Sequence, residues 1–179
     1  MSMIEQVNVL IEADELQRRI EELADRINRD YIGKEVHFVC LLKGAAVFAC
    51  DIFKRFEGKA SIDFMSVSSY GSSMSSSGFV RILKDLDEPI MRKHVLLIDD
   101  IVDSGNTLYN IKELLKLRNP ASIKTCVLLD KPHRRTVDVE VDYRAFEIED
   151  KFVVGYGLDY DQKYRNLPYI GEISFGNER

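Results

Sequence analysis

Three aspartates, a glycine and two hydroxyl-bearing residues fall within nine positions of this chain, which read "DDIVDSGNT" from position 99 to 107. Glycine allows a phosphate to approach the backbone closely, and serine and threonine add hydroxyl donors. Carboxylates repel a bare phosphate, but they accept hydrogen bonds from sugar hydroxyls and bind Mg²⁺. The residue types therefore indicate a ligand that combines a phosphate with sugar hydroxyls, a bound Mg²⁺, or both.

The surrounding pattern predicts the elements that position this loop. Residues 95–98 form a short continuous apolar run, and residues 103–106 form a turn cluster. The following "TLYNIKELLKL" repeats apolar residues at helical spacing, namely Leu108, Ile111, Leu114 and Leu115. The order is strand, loop, helix, so the loop lies at the positive end of the helix dipole, where anions bind.

Four other interpretations of the loop are possible. A P-loop requires lysine where Asn106 stands and an upstream glycine that is missing. The dinucleotide fingerprint G-x-G-x-x-G is absent, and an aspartate-nucleophile phosphatase usually has two aspartates separated by one residue. The simplest alternative makes Asp103 or Ser104 a helix cap and the other acids solvated. For a single aspartate that alternative is the better one, but the whole cluster favours a ligand site.

The stretch resembles the phosphoribosyl-pyrophosphate loop of type I phosphoribosyltransferases, whose pattern is an apolar strand, two acids, two apolar residues and D-[ST]-G-x-T. The first acid is often glutamate in that family, and here it is Asp99. The resemblance implies that Asp103 is the catalytic base that takes the N7 proton of a purine. It implies that Asp99 and Asp100 hold the ribose hydroxyls, directly or through Mg²⁺. It also assigns the 5′-phosphate to Ser104, Gly105, Asn106 and Thr107.

A second informative stretch, "DKFVVGYGLDYDQKYRNLPY", lies near the carboxyl terminus. By residue type alone, Phe152 is a core aromatic more often than a ligand platform, and Asp159 and Arg165 are surface charges. With "LLKG" at 41–44 and "LLDKP" at 128–132, however, the stretch resembles the base-binding hood of hypoxanthine-guanine phosphoribosyltransferases. Glu149 departs from that family, in which proline often precedes the hood.

This resemblance implies roles for the remaining site residues. Phe152 stacks on the purine, Lys131 donates to its 6-oxo group, and the backbone of Val153 reads the ring edge. Ile101 and Leu158 pack nearby. Pyrophosphate is held by Lys43, Gly44 and Arg165, and Asp159 binds a second Mg²⁺.

Residues 66–78, "SVSSYGSSMSSSG", are rich in serine. Composition alone indicates a surface loop. Because the loop follows a strand at the ligand end of the sheet, a lid that excludes water is the alternative. In the family resembled, a flexible loop closes over the site here, with a Ser-Tyr pair matched by Ser69 and Tyr70.

Composition limits the class of protein. A chain of 179 residues predicts one domain, residues 1–179, with the hood at about 148–179. The net charge of −5 argues against a nucleic-acid binder, and no segment is long and apolar enough for a membrane span. Cys40, Cys50 and Cys126 lie in apolar segments without metal-ligand spacing, which predicts buried, reduced thiols and a cytoplasmic protein.

The predicted fold class is α/β, with a mainly parallel central sheet flanked by helices. One amphipathic helix carries Leu16, Ile20, Leu23 and Ile27 on one face. Strands are predicted at "VHFVCLL", "SIDFMSV", "ASIKTCVLL" and "DYRAFEI", and a second helix in "KGAAVFACDIFKRF". Ligands bind outside the carboxyl ends of such strands. The resemblance adds that this is the type I phosphoribosyltransferase fold with a small hood.

The implied activity is purine salvage, in which hypoxanthine or guanine and 5-phosphoribosyl 1-pyrophosphate give IMP or GMP and pyrophosphate, with Mg²⁺. Two alternatives stay open: a regulatory protein that senses nucleotides on the same fold, and a transferase for xanthine or a pyrimidine. The resemblance also implies a homodimer or a homotetramer.

Overall fold

The structure, a computed structural model, describes residues 3–69 and 80–177. The helices are α1 (Ala13–Asp30), α2 (Ala46–Lys54) and α3 (Asn106–Lys116), with a 3-10 turn at Pro132–Arg134. The strands are β1 (Met3–Ile11), β2 (Val36–Leu42), β3 (Ala60–Ser69), β4 (Val80–Lys84), β5 (His94–Val102), β6 (Ser122–Asp130), β7 (Tyr143–Glu147), β8 (Val153–Val154) and β9 (Ile170–Asn177).

The large sheet has the order β4-β3-β2-β5-β6-β7. All neighbouring pairs are parallel except β3 and β4, which are antiparallel. Helices connect several of the parallel strands and cover both faces of the sheet. The predicted α/β class with a mainly parallel sheet is therefore confirmed.

Each face of the sheet has its own apolar core. On one face, α1 buries Leu16, Ile20, Leu23 and Ile27 beside the α2 residues Phe48 and Ile52. On the other face, α3 buries Leu108, Ile111 and Leu115 against alternate strand residues such as Val95 and Leu97. A strand buried on both faces has no polar side, which explains the continuous apolar run at residues 95–98.

A smaller sheet has the order β1-β9-β8, and all its pairs are antiparallel. Strands β8 and β9 lie within the predicted hood, and β1 is a strand that the sequence pattern does not predict. β1 pairs along β9 from Met3 opposite Asn177 to Ile11 opposite Ile170. The hood is thus held by the amino-terminal end of the described chain.

The prediction that all three cysteines are buried is wrong for Cys50, which is exposed, whereas Cys40 and Cys126 are buried, and all three are free. Burial raises the pKa of the Cys40 thiol to about 12.

Of the predicted lid, Tyr70 and the residues up to 78 lie outside the described residues, and Ser69 ends β3. Among the described helices, none is long and apolar enough to cross a membrane.

Candidate active site

The carboxyl ends of β2 and β5 bring the predicted phosphate-binding residues to one edge of the large sheet. Lys43 and Gly44 follow β2, and Asp99 to Val102 form the end of β5. Two cavities lie there. The first, of about 100 Å³, is lined by Asp99, Ile101, Val102, Asp103, Ser104, Gly105, Thr107 and Leu108. The second, of about 280 Å³, is lined by Leu41, Leu42, Lys43, Gly44, Val67, Asp99, Asp100, Ile101, Thr107, Asp159 and Arg165.

The first cavity is built on the turn between β5 and α3. Gly105 has a φ of 85° and directly precedes α3. A Cβ atom there would lie 2.8 Å from Val139 Cγ1, so both the backbone conformation and the space require glycine. Ser104 Oγ accepts a hydrogen bond from Asn106 Nδ2 at 3.1 Å. The turn leaves the start of the helix facing the cavity, as an anion site needs.

Asp103 does not cap the helix. Gly105 occupies the N-cap position of α3 and, as glycine, has no side chain that could accept a capping hydrogen bond. Instead, Asp103 Oδ1 accepts from Arg134 Nε at 3.0 Å, and Arg134 Nη1 lies 3.3 Å from Asp150 Oδ2. The helix-cap interpretation therefore fails for Asp103. Its carboxylate is about half exposed at the mouth of the loop, where a substrate can reach it.

Asp99 and Asp100 are adjacent carboxylates in a poorly solvated position. Asp99 is only 8% exposed, and its Oδ1 accepts from the backbone N–H of Asp100 at 3.0 Å. Burial, reinforced by the neighbouring Asp100 carboxylate, raises the pKa of Asp99 well above its ordinary value, and burial raises that of Asp100 as well. The ionised pair is therefore destabilised in the folded protein until a cation or hydroxyl donors bind.

An Asp99→Asn substitution is expected to stabilise the ligand-free protein at neutral pH. A carboxyl whose pKa is raised on folding destabilises the fold once the pH exceeds its ordinary value of 3.8, because its charged form is disfavoured. We expect the melting temperature to rise by about 2 to 4 °C for each kcal/mol recovered. Calorimetry in excess chelator should show that the gain shrinks as the pH is lowered toward about 4. A gain that does not depend on pH would contradict the assigned cause.

The second cavity depends on close packing between backbone and carboxylate. A Cβ atom on Gly44 would lie 1.6 Å from Asp100 Oδ2, and one on Gly157 would lie 2.0 Å from the carbonyl oxygen of Gly44. The peptide bond between Leu42 and Lys43 is cis. Glycine at 44 and 157 thus allows the loop after β2, the end of β5 and the hood to meet.

Charged groups of both signs line this second cavity. Arg165 Nη2 forms an ion pair with Asp159 Oδ1 at 2.7 Å, and Arg165 Nη1 donates to the carbonyl of Gly157 at 2.7 Å. Lys43 Nζ donates to Gln162 Oε1 at 3.3 Å. Two cations and three nearby carboxylates suit a polyphosphate that binds with divalent metal.

The carboxylates of the second cavity suit Mg²⁺, although they do not form a complete metal site by themselves. Within the described ranges, 3–69 and 80–177, no three His, Cys, Asp or Glu side chains are grouped to hold a metal. Mg²⁺ in phosphate-transfer sites is usually held by one or two carboxylates, with substrate oxygens and water completing its octahedron. Asp99, Asp100 and Asp159, all lining the second cavity, match that donor chemistry.

The predicted base-binding residues form a different part of the edge. Phe152 is 54% exposed, and its ring meets that of Tyr160 edge-on at 5.7 Å. Lys131 is 7% exposed, and its Nζ donates to the carbonyl of Lys151 at 2.7 Å. Val153 and Leu158 are buried. In the described part of the chain, none of these four lines either cavity, whereas Ile101 lines both.

Sequence reasoning missed the two arginines that follow Lys131. Arg134 pairs with Asp103, and Arg135 donates to backbone carbonyls of the same loop. The local signal for these arginines is the adjacent basic pair in "DKPHRR". The loop groups that Arg134 and Arg135 bind lie more than 30 positions earlier in the chain. Only the pairing of β6 beside β5 brings them together.

The chain is similar to known proteins over most of its length. The family model described as "Phosphoribosyl transferase domain" matches residues 11–161. The hypoxanthine phosphoribosyltransferase of Salmonella typhimurium is 50% identical over 169 residues, which cover 93% of this chain and 95% of the relative. The hypoxanthine-guanine phosphoribosyltransferase of Streptococcus thermophilus is 44% identical, covering 92% of each chain.

Solved structures show the same similarity in three dimensions. A crystal structure of a hypoxanthine-guanine phosphoribosyltransferase from Bacillus anthracis superposes with a TM-score of 0.91 at 43% identity. The match covers 94% of this chain and all of that one. A hypoxanthine phosphoribosyltransferase from Staphylococcus aureus gives a TM-score of 0.90 at 47% identity, covering 93% and 91% of the two chains.

Proposed function

Because this chain belongs to the phosphoribosyl transferase family, we propose that it acts in purine salvage, joining hypoxanthine or guanine to 5-phosphoribosyl 1-pyrophosphate. The products are IMP or GMP and pyrophosphate. Relatives with these activities match nearly the full length of the chain, and its site residues have the chemistry that the reaction requires.

The observation that carries the proposal is the shared wall of the two cavities. Asp99, Ile101 and Thr107 line both of them. The first cavity has the glycine turn and helix start that suit a 5′-phosphate, and the second has Lys43 and Arg165, which suit pyrophosphate. A ribose that carries phosphate at one end and pyrophosphate at the other spans this wall. The carboxylates between the cavities then accept from its hydroxyls.

The chemistry assigned to the loop is a displacement at C1 of the ribose. Purine N9 forms a bond to C1, the bond from C1 to the pyrophosphate oxygen breaks, and pyrophosphate leaves with the electron pair. Asp103 takes the proton from N7, and Arg165 and Lys43 stabilise the charge that develops on the leaving group. When bound through Asp99, Asp100 and Asp159, Mg²⁺ supplies further neutralisation of that charge.

We assign base selection to Lys131 and the hood. An ammonium group pairs well with a 6-oxo acceptor and poorly with the 6-amino group of adenine, because two donors then face each other. Lys131 Nζ now donates to the carbonyl of Lys151 and lies 3.4 Å from Asp150. It is therefore held beside the hood, where Phe152 offers an exposed ring for stacking. The rest of the surface assigned to the purine consists of Val153, Leu158 and Ile101.

A panel of bases tests this assignment. We expect rapid turnover of hypoxanthine or guanine with phosphoribosyl pyrophosphate and Mg²⁺, slow turnover of adenine, and no activity in excess chelator. Xanthine and a pyrimidine base in the same panel separate the alternative transferases, and spectrophotometry follows each nucleotide product. Turnover of adenine at a comparable rate, or full activity with chelator, would rule the assignment out.

Three further proposals accompany the reaction. Residues 1–179 form a single domain, and the protein forms a homodimer or a homotetramer, as is common in this class. We also propose a cytoplasmic location, because all three cysteines are free and a reducing compartment keeps them so.

A further inference from the structure

Arg135 lies behind the turn that follows β5 and joins it to a buried carboxylate. Its Nη1 donates to the carbonyl oxygens of Val102 at 3.0 Å and of Asp103 at 2.7 Å. Its Nη2 donates to Asp130, which is only 3% exposed. One guanidinium thus ties two consecutive loop carbonyls to a buried anion, and this requires the planar, several-donor geometry of arginine.

The residue after Arg135 holds the next carbonyl of the turn. The backbone N–H of Thr136 donates to the carbonyl of Ser104 at 3.0 Å. Thr136 Oγ1 also accepts from Asn106 Nδ2 at 3.3 Å. Residues 135 and 136 therefore bind three successive carbonyls, that of Val102 at the end of β5 and those of Asp103 and Ser104 in the turn. The carbonyl of Val102 also accepts from the backbone N–H of Lys131 at 2.9 Å.

Anchoring these carbonyls also orients the amides of the turn. In a planar trans peptide the C=O of one residue and the N–H of the next point in opposite directions. The cis bond in the described chain lies at Leu42–Lys43, outside this turn. Because Arg135 binds the carbonyls of Val102 and Asp103, the N–H groups of residues 103 and 104 point away from it. The bond from Thr136 to the carbonyl of Ser104 sets the N–H of Gly105 in the same way. Asp103, Ser104 and Gly105 line the first cavity, which is assigned to the 5′-phosphate.

From these contacts we infer that Arg135, supported by Asp130, is a positioning residue that holds the amides of Asp103 and Ser104 ready for the phosphate of the phosphoribosyl substrate. The inference rests on the proposed function, since that function identifies the anion. Amides oriented before binding strengthen it, because less ordering is needed when the ligand arrives. Arg135 itself lines neither of the two cavities.

Arg144 provides a matched control. Its Nη1 pairs with the other oxygen of Asp130 at 2.8 Å and with Glu147 Oε2 at 3.1 Å. It therefore shares the buried carboxylate with Arg135, but its ion pairs are with β6 and β7 and not with the turn. Losing Arg144 disturbs the buried charge and leaves the loop carbonyls bound.

The test compares Arg135→Lys with Arg144→Gln in steady-state kinetics. Lysine keeps the charge near Asp130 but cannot hold both carbonyls. We expect R135K to raise KM for phosphoribosyl pyrophosphate by about 10- to 100-fold, while KM for hypoxanthine changes by less than about threefold. R144Q should lower the melting temperature without changing either KM. Circular dichroism confirms that the proteins compared are folded.

Two outcomes would overturn the inference. One is a folded R135K whose KM for phosphoribosyl pyrophosphate equals that of the unsubstituted protein. The other is an equal rise in that KM for R144Q, since that would trace the effect to the buried charge alone. If R135K does not fold, Arg135→Gln, which retains a planar amide donor, takes its place. Inactivity of the unsubstituted protein would instead defeat the proposed function.

Discussion

Replacing Asp103 with asparagine lowers kcat by about a hundred- to ten-thousand-fold, the contribution that general base catalysis typically makes. Asparagine is nearly isosteric, and its carbonyl oxygen can still accept from Arg134, the present partner of Asp103. The turn and its phosphate contacts should therefore persist. What asparagine cannot do is take the N7 proton of the purine. We accordingly expect the affinity for the nucleotide product and the melting temperature to change little.

Kinetics, product binding and melting temperature measured on this variant test the assignment together. Asp138→Asn is the control, because Asp138 is an exposed acid on the same segment as Arg134 and should leave all three quantities unchanged. Near-normal kcat for Asp103→Asn would show that the base is another group. A large loss of product affinity would show that Asp103 binds the ligand instead of serving as the base.

A Gly44→Ala substitution reduces kcat/KM by at least about a hundredfold, because it displaces groups on both sides of the second cavity. The added Cβ would lie 1.6 Å from Asp100 Oδ2, so the carboxylate or the loop after β2 must move. Asp100 is held by the backbone N–H of Ile101 at 2.8 Å, and the loop packs against Gly157. Overpacking of this kind also costs about 1 to 3 kcal/mol of stability.

Gly176→Ala is the control for added volume. A Cβ at Gly176 meets nothing within 4 Å, and this glycine has no positive φ. Its activity and melting temperature should match those of the unsubstituted protein. If Gly44→Ala kept full activity, the close contact between Gly44 and Asp100 would not be needed for the reaction.

The elements around the candidate site are predictable where they follow one another directly in the sequence. The apolar run at 95–98, the turn and the helical repeat place Asp103 and Gly105 correctly, because strand, loop and helix follow one another directly. The strand itself extends further than the apolar run, to Val102, so Asp99 and Asp100 belong to it. Acidic residues can end a buried strand when their side chains face a ligand cavity.

Features that depend on long-range contacts were not predictable. β1 pairs with β9 from Met3 opposite Asn177 to Ile11 opposite Ile170, at nearly opposite ends of the sequence, and neither segment identifies the other. Cys50 lies in an apolar segment, but in α2 it falls away from the face that buries Phe48, Ala49 and Ile52. Arg135 reaches the turn only because β6 lies beside β5. Sequence therefore predicts local elements better than the long-range contacts that hold them in place.

The stoichiometry of the reaction is the most direct test of the central claim, that this chain transfers a phosphoribosyl group to a 6-oxopurine. The purified protein is incubated with hypoxanthine, phosphoribosyl pyrophosphate and Mg²⁺, and phosphorus NMR follows every phosphorus-containing species. We expect one IMP and one pyrophosphate for each hypoxanthine consumed. Pyrophosphate released without IMP, or no consumption of either substrate, would contradict the claim.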